Sequence, residues 1–376
     1  MTAKRTYLDC NASVPLRPEA RAAILTALDA TGNPSSVHAD GRRARAIIEN
    51  AREQVAGIVN AMPSEVIFTS GATEANNWLL AAGWDVIVVS GIEHDSVTAP
   101  VAASGAKRIE LSVATNGVVE LDGLSELLAA SAASSKRTLL TLMMANNETG
   151  VIQPVAQATA IAREHGVMVH TDAVQAPGRI PVDFAALGVD ALSLSAHKLG
   201  GPRGVGALVV RDGVGLPALL KGGGQERRRR GGTENASGIA GFGAAVEAIE
   251  HEQNVGERMA KLRIRLEEGV MRATPAALII GRDAPRIANT AYVGLPGKLA
   301  ETLVIKLDLE GIAVSAGAAC SSGKVGSSHV LEAMKLGPEV ARSAIRVSLG
   351  PQTQDEDIAV FLTAWEKIAG SAALAA

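Results

Sequence analysis

SLSAHKLGGPRG, residues 193–204, reads as the end of a buried strand running into a glycine-rich loop. With DALSLSAHK (190–198) as a strand, side chains alternate between its faces. Leu192, Leu194 and Ala196 share one face, and Ser193, Ser195 and His197 share the other. Ser195 and His197 then form a polar pair at the carboxyl end, where open α/β sheets bind their ligands. Lys198 follows directly. An ammonium at the end of a buried strand is costly unless it is paired, neutral or bonded to something. A solvated loop lysine is the plain alternative.

Further apolar runs flank this one. EVIFTS (65–70), WDVIVVS (84–90), RTLLTLMMA (137–145), GVMVHTD (166–172) and VGALVVR (205–211) read as strands. TEANNWLLAAG (73–83) and VAQATAIAREHG (155–166) are helical patterns between them. Nearly continuous apolar strands alternating with helices predict a mainly parallel sheet covered on both faces. From about residue 236 the texture changes, and one long helical pattern runs to residue 273 before short strands and helices. The expected division is a large domain over 13–255 and a smaller α+β domain over 256–376, joined by residues 1–12.

The totals suit such a protein. The chain has 376 residues, 47% hydrophobic and 20% charged, with a formal net charge of −3. It lacks a basic field for nucleic acid. It also lacks a run of about 18 apolar residues that would predict a membrane span. Aromatics make up only 2%, so Ala, Val, Leu and Ile must build the core. Its beginning, MTAKRTYLDCNAS, reads as neither a secretory signal nor a transit peptide. Two cysteines, Cys10 and Cys320, make no disulfide scaffold, and a reducing, cytoplasmic setting is expected.

Four other stretches could carry chemistry. TSGATEANN (69–77) follows a strand and opens a helix, so free N–H groups around Gly71, Ala72 and Thr73 could hold an anion. The same residues, Ser70 with Thr73-Glu74, also resemble a capping box, and the GK[ST] of a Walker loop is missing. HTDAVQ (170–175) places Asp172 at a strand end with Gln175 three residues on, and Asp172 could equally cap a helix. EHDSV (93–97) and ANNETG (145–150) set His94 and Asn146 just after strands.

Together these residues are more specific than any one of them. A phosphate cradle, an acid for a ring nitrogen, a histidine and a strand-end lysine meet the requirements of pyridoxal 5'-phosphate. Covalent attachment to that cofactor would account for Lys198. Cys320 lies in SAGAACSSGKVGSS, a run of small residues poorly suited to a core, and reads as a thiolate nucleophile. Arg346, in SAIRVSLG, has a guanidinium suited to bidentate capture of a carboxylate.

The ordered blocks YLDCNAS, GNPSSVH, FTSGATEANN, NNETG, HTDAVQ, LSAHKLGGPRGVGAL, GGGQERRRRGGTEN, GAACSSG and RSAIRVSLG span nearly the whole chain. In them the sequence resembles the NifS-like cysteine desulfurases of the class V aminotransferase family. The resemblance implies fold type I, with a mainly parallel seven-stranded sheet and a smaller α+β C-terminal domain. It implies that Lys198 carries the cofactor and moves the Cα proton, and that Asp172 pairs with the pyridine nitrogen. His94 would stack on the ring and share in proton transfer. Gln175 and Asn146 would lie near the phenolic oxygen, with Asn146 also near the substrate carboxylate. Thr73, Ser195 and His197 would hold the phosphate, completed by Thr233 from the partner of a homodimer. Arg346 would bind the L-cysteine carboxylate, and Cys320 would take its sulfur as a persulfide. The acceptor would be a protein such as an iron–sulfur scaffold or a thiolation enzyme.

Arg227 to Arg230 are weak support for nucleic acid in an acidic chain. Arg230 is expected to line the phosphate site or an interface, and the others to be solvated. Cys10 stands where relatives often carry an aromatic or other residue, and is read as structural. Competing readings are a selenocysteine lyase, another class V aminotransferase, or a non-catalytic scaffold. Cys320 argues against plain transamination. Lys198, Asp172, His94 and Cys320 held together argue against the scaffold.

Overall fold

A computed structural model describes residues 5–252, 254–317 and 327–370. In chain order its strands are β1 (Thr6–Tyr7), β2 (Val66–Thr69), β3 (Val86–Ser90), β4 (Lys107–Leu111), β5 (Thr138–Thr141), β6 (Met168–Asp172), β7 (Ala191–Ser195) and β8 (Gly206–Val210). There follow β9 (Leu278–Ile279), β10 (Thr290–Gly294), β11 (Ile312–Ala313), β12 (Ser315–Ala316) and β13 (Ala344–Ser348). Seven of them form one sheet in the order β2-β8-β7-β6-β5-β3-β4. Strands β7, β6, β5, β3 and β4 run parallel to one another, and β8 lies antiparallel to both β2 and β7.

The sheet is buried on both faces because its strands are apolar at both parities. Val86, Val88, Leu140, Leu192, Leu194 and Val209 pack into one cluster. Their neighbours Ile87, Val89, Leu139, Ala191, Leu208 and Val210 pack into another on the opposite face. Strand β4 is the exception: KRIEL is mostly exposed at the edge. Its charged alternation concealed it in the sequence, and such residues blunt an open edge.

A third cluster joins Leu8 to Leu262, Leu266 and Val270 of helix Val255–Ala273, to Phe361 and Trp365 of helix Asp355–Gly370, and to β10 and β13. The long helical pattern is two helices, Ala236–Glu250 and Val255–Ala273. Asn254 between them adopts φ 59°, a left-handed conformation that asparagine tolerates and that stops a helix. A second correction concerns the 190–198 strand. The strand ends at Ser195, with one last bond from the Ala196 N–H to the Val205 carbonyl at 3.1 Å, and Ala196–Lys198 is a single 3₁₀ turn. Gly200, at φ +81°, and Gly201 turn the chain back, with the Gly201 N–H bonded to the Ala196 carbonyl.

One buried ion pair pins the arginine-rich loop to the large sheet. Both guanidinium Nη atoms of Arg52 bond the Glu226 carboxylate at 2.8 and 2.9 Å, and Glu226 also accepts from the Phe68 N–H. Glu226, Arg227 and Arg228 all have positive φ, so this anchor sustains a run of left-handed backbone. Truncating Glu226 to Ala strips both Nη atoms of Arg52 of their carboxylate and leaves it the more exposed Glu49, bonded to Nε at 3.0 Å, and the Val66 carbonyl, at a cost of about 3 kcal/mol. Urea denaturation of Glu226→Ala should show a loss of that size, and the Arg52→Met/Glu226→Met double variant should recover most of it.

Candidate active site

Strands β2, β3, β5, β6 and β7 all deliver their carboxyl ends to one edge of the sheet, and a cavity of about 460 Å³ opens there. Of the residues anticipated for the site, Gly71, Ala72, Thr73, His94, Asp172, Gln175, Ser195, His197 and Lys198 line it.

Helix Ala72–Leu80 begins at the cavity wall with no side chain capping it. The expected capping box is half formed: Glu74 accepts from the Ser70 N–H at 2.8 Å, and nothing answers from the other side. The first-turn N–H groups of Ala72, Thr73 and Glu74 therefore remain available to an anion. Gly206 permits this placement. A Cβ there would lie 2.5 Å from the Leu194 carbonyl and 2.7 Å from the Gly71 Cα. Arg230 pairs with Glu74 at 3.0 Å beside the cradle and holds that carboxyl below its ordinary range against the opposing effect of burial.

Asp172 is buried at the end of β6. Its Oδ2 accepts from Asn76 Nδ2 at 2.8 Å and its Oδ1 from the Val174 N–H at 3.0 Å. The second bond is the local turn that the capping reading anticipated, and the carboxylate still faces the cavity. His94 Nδ1 accepts the Ser96 N–H at 3.0 Å, which leaves the ring proton on Nε2. Burial, reinforced by Lys198 and His329, lowers the His94 pKa against the pull of Asp172 and Asp95. Burial, with Lys198 and Arg203 adding, takes His197 down to about 4. Both rings are neutral near pH 7.

Lys198 Nζ donates to the carbonyls of Asn11 and Ala12, at 2.5 and 3.1 Å. Gln175 lines the cavity, but both ends of its amide are engaged. Its Nε2 donates to the Asn11 carbonyl at 3.0 Å, and its Oε1 accepts from Arg179.

Three expected residues lie elsewhere. Asn146 is fully buried, with Nδ2 donating to the Ile92 carbonyl and Oδ1 accepting from the Glu148 and Thr149 N–H groups and the Thr149 hydroxyl. It is the brace of the 146–149 turn, and Asn147 lines the cavity in its place. Arg346 sits on β13, bonded to Asp9 at 2.8 Å and to the Asn147 carbonyl at 3.1 Å. Its Nε is buried without a partner. Thr233 is exposed on this chain, away from the cavity. Cys320 lies outside the described residues.

The sequence reading missed Ala12 and Ser13 on the wall, Asn76 behind Asp172, and Glu93. The blocks YLDCNAS and TEANN contain the first three, without a pattern that marks them. Cys10 is buried, and burial pushes its thiol up to about 12, an inert structural cysteine.

These residues fit pyridoxal 5'-phosphate. Unclaimed helix-start N–H groups suit its phosphate, a buried carboxylate suits a protonated ring nitrogen, and the Lys198 side chain lines the same cavity. Among the described residues no cluster of His, Cys, Asp and Glu could hold a metal ion, and no helix is long and apolar enough to cross a membrane.

The family model for class-V aminotransferases matches residues 6–361. A cysteine desulfurase IscS of Dictyoglomus turgidum is 39% identical over 97% of this chain and 94% of its own length. The X-ray structure of a NifS-like protein from Rickettsia africae superposes with a TM-score of 0.90 at 35% identity, covering 98% of this chain and all of that one. A structure described as SspA in complex with cysteine gives 0.80 at 30% identity, over 93% of this chain and all of that one.

Glu93 and two histidines give the fold a measurable pH signature. Glu93 is fully buried, and burial, with Asp172 adding, raises its pKa to about 8 against the bonds from Met143 and Ser90. Burial lowers His170 to about 4 against the opposing pull of Asp172. For the histidines, stability present above pH 6.5 drains away as pH falls towards 4, because the unfolded chain takes up their protons. For Glu93 the sign reverses: stability is complete below about 4.5 and is lost as pH rises towards 8. Above pH 6.5 only the Glu93 limb remains among these three. Urea denaturation should show stability falling by up to about 1.4 kcal/mol per pH unit there. Glu93→Gln should flatten that limb and spare the acid one.

Proposed function

Because the chain belongs to the class-V aminotransferase family, among its NifS-like cysteine desulfurases, we propose that its cavity binds pyridoxal 5'-phosphate and L-cysteine and passes the substrate's sulfur to Cys320, releasing L-alanine. The observation that carries the cofactor assignment is the convergence of Lys198, Asp172, His94 and the uncapped start of helix Ala72–Leu80 on one cavity. When bound, the cofactor supplies an electron sink for a carbanion at the substrate Cα.

The chain's own residues supply the rest. The N–H groups of Ala72 and Thr73, the Thr73 hydroxyl and Ser195 hold the phosphate, with neutral His197 at their side. Thr233 completes that site from the partner of a homodimer, which accounts for its exposure on the single chain. Asp172 keeps the ring nitrogen protonated; Asn76 and the Val174 N–H fix its two oxygens for that task. His94 would stack on the ring, with its proton held on Nε2 by the bond that Nδ1 accepts from the Ser96 N–H. Lys198 would hold the cofactor in place of its carbonyl contacts and would move the proton at Cα. Arg346 would offer its unpartnered Nε to the substrate carboxylate, its outer nitrogens being held by Asp9 and the Asn147 carbonyl.

The Cys320 thiolate attacks the substrate sulfur. An S–S bond forms as the C–S bond breaks, the electron pair stays on carbon, and a proton replaces sulfur there to give alanine. The persulfide is then the sulfur donor to an acceptor protein such as an iron–sulfur scaffold or a thiolation enzyme.

Purified protein incubated with L-cysteine and a reductant should yield equal alanine and sulfide. Cys320→Ser should abolish both while keeping the cofactor's absorbance, and Lys198→Ala should lose at least about 10³-fold of the rate. Keto acid without sulfide, unaffected by Cys320→Ser, would mean an aminotransferase on the same fold.

A further inference from the structure

Glu148 belongs to the NNETG stretch, yet it lines no part of the cavity. Its side chain is nearly fully buried, and Oε2 accepts two hydroxyls: Tyr292 from β10 at 2.8 Å and Ser328 at 2.6 Å. Ser328 also caps helix His329–Ala333, accepting from the Leu331 N–H. On the other side of the same carboxylate lies Gly317, directly after β12. A Cβ on Gly317 would run into the Tyr292 hydroxyl and the Glu148 carboxylate, so the backbone rests directly on this pair.

Gly317 and Ser328 are neighbours in space through Glu148 and Tyr292, and between them in sequence stands Cys320. Both ends of the cysteine-bearing stretch are thus seated on one buried carboxylate–phenol pair. That pair is in turn fixed to the cavity. The Glu148 N–H donates to Asn146 Oδ1, and Asn147 between them is on the cavity wall. A second tie runs from the residue after Ser328. His329 Nε2 donates to the Glu93 carbonyl at 2.9 Å, one residue before His94.

We propose that Glu148, acting with Tyr292 and Ser328, is a positioning residue that sets both roots of the Cys320-bearing stretch relative to the cavity, and so governs delivery of the thiol to the substrate sulfur. This rests on the desulfurase reading. Burying a carboxylate costs energy that hydroxyl donors only partly return. An apolar contact between β10 and helix His329–Ala333 would hold the fold at lower cost, but it would not fix two chain ends to a common point. Gly317 fits the same account, since any side chain would separate the backbone from its seat.

The test uses holoenzyme with Tyr292→Phe, Ser328→Ala, Ser328→Thr and Gly317→Ala. Substrate binding is read from the change in cofactor absorbance on adding L-cysteine, and sulfur transfer from alanine formed in a single turnover. Root geometry is read independently from the rate at which iodoacetamide alkylates Cys320 before any substrate is added, located by mass spectrometry. Buried Cys10 serves as the unreactive internal control. Losing one of these buried hydrogen bonds should slow alanine formation about tenfold. It should leave the half-saturating L-cysteine concentration within twofold and change the Cys320 alkylation rate at least threefold. Ser328→Thr, which keeps the hydroxyl, should restore both rates. The proposal is overturned if Tyr292→Phe and Ser328→Ala both alkylate and turn over like wild type. It is equally overturned if binding and turnover fall together while alkylation is unchanged. Should Gly317→Ala fail to fold, the two hydroxyl variants decide. If wild type makes no alanine from L-cysteine, the desulfurase reading fails, and the alkylation comparison still judges the clamp.

Discussion

A buried carboxylate in a cavity that excludes histidinium is the constraint from which the site follows. Asp172 is held by one side-chain amide and one backbone N–H, neither of which neutralises its charge. The two histidines beside the cavity are kept neutral by burial and by the local cations. A carboxylate so placed is best stabilised by a cation arriving from the cavity, and a protonated ring nitrogen is such a cation. The same cavity also presents the uncapped helix-start N–H groups of Ala72, Thr73 and Glu74, donors suited to an anion. One cavity thus offers a carboxylate for a cation and N–H donors for an anion, and two such contacts together orient a ligand before any covalent bond forms.

The N-terminal segment joins this edge to the rest of the molecule. Asn11 donates to Thr290 at 2.9 Å and to the Asn147 carbonyl at 3.1 Å, while its own carbonyl accepts from Gln175 and Lys198. Three residues earlier, Leu8 is buried in the cluster built on helices Val255–Ala273 and Asp355–Gly370. A single short stretch therefore packs into one core and hydrogen-bonds to the lysine at the edge of the other. Asn11 thus bonds Thr290 of β10, Ser348 of β13 and Asn147 on the cavity wall at once.

Much of this was legible because it obeys the period-two rule. Leu192, Leu194 and Ala196 do share a cluster, and Ser195 does face the cavity. Parity says nothing beyond the last paired residue, so His197 and Lys198 reach the cavity from a 3₁₀ turn rather than from a strand. Helix Ala72–Leu80 was legible from its glycine and its apolar run, but its missing cap was not, since the same letters serve both readings. Asn146 illustrates a different limit. A side chain that braces its own turn and one that meets a ligand have the same sequence signature, and only the bond partners distinguish Asn146 from Asn147. Glu93 and Glu148 were illegible for a related reason: two glutamates in polar motifs read as solvated until the fold buries them.

Arg346 shows how the smaller sheet bears on the same edge. Strand β13 brings its guanidinium to Asp9 and to the Asn147 carbonyl, and Asp9 uses its other oxygen to accept from Ser315 on β12 at 2.8 Å. A second carboxylate meeting Arg346 would compete with Asp9 for the same nitrogen or settle on Nε, which is buried without a partner. Competition is costly for Asp9, since a partly buried carboxylate would lose its cation. Using Nε fills an empty donor at no such loss and leaves the Asp9–Ser315 bond intact. Ser315 stands two residues before Gly317, so the Nε route lets a carboxylate bind while the seat of Gly317 on Glu148 and Tyr292 stays undisturbed. The buried ion pair is therefore compatible with an anion at Nε, and through Asp9 it ties Ser315 of β12 to Arg346 of β13.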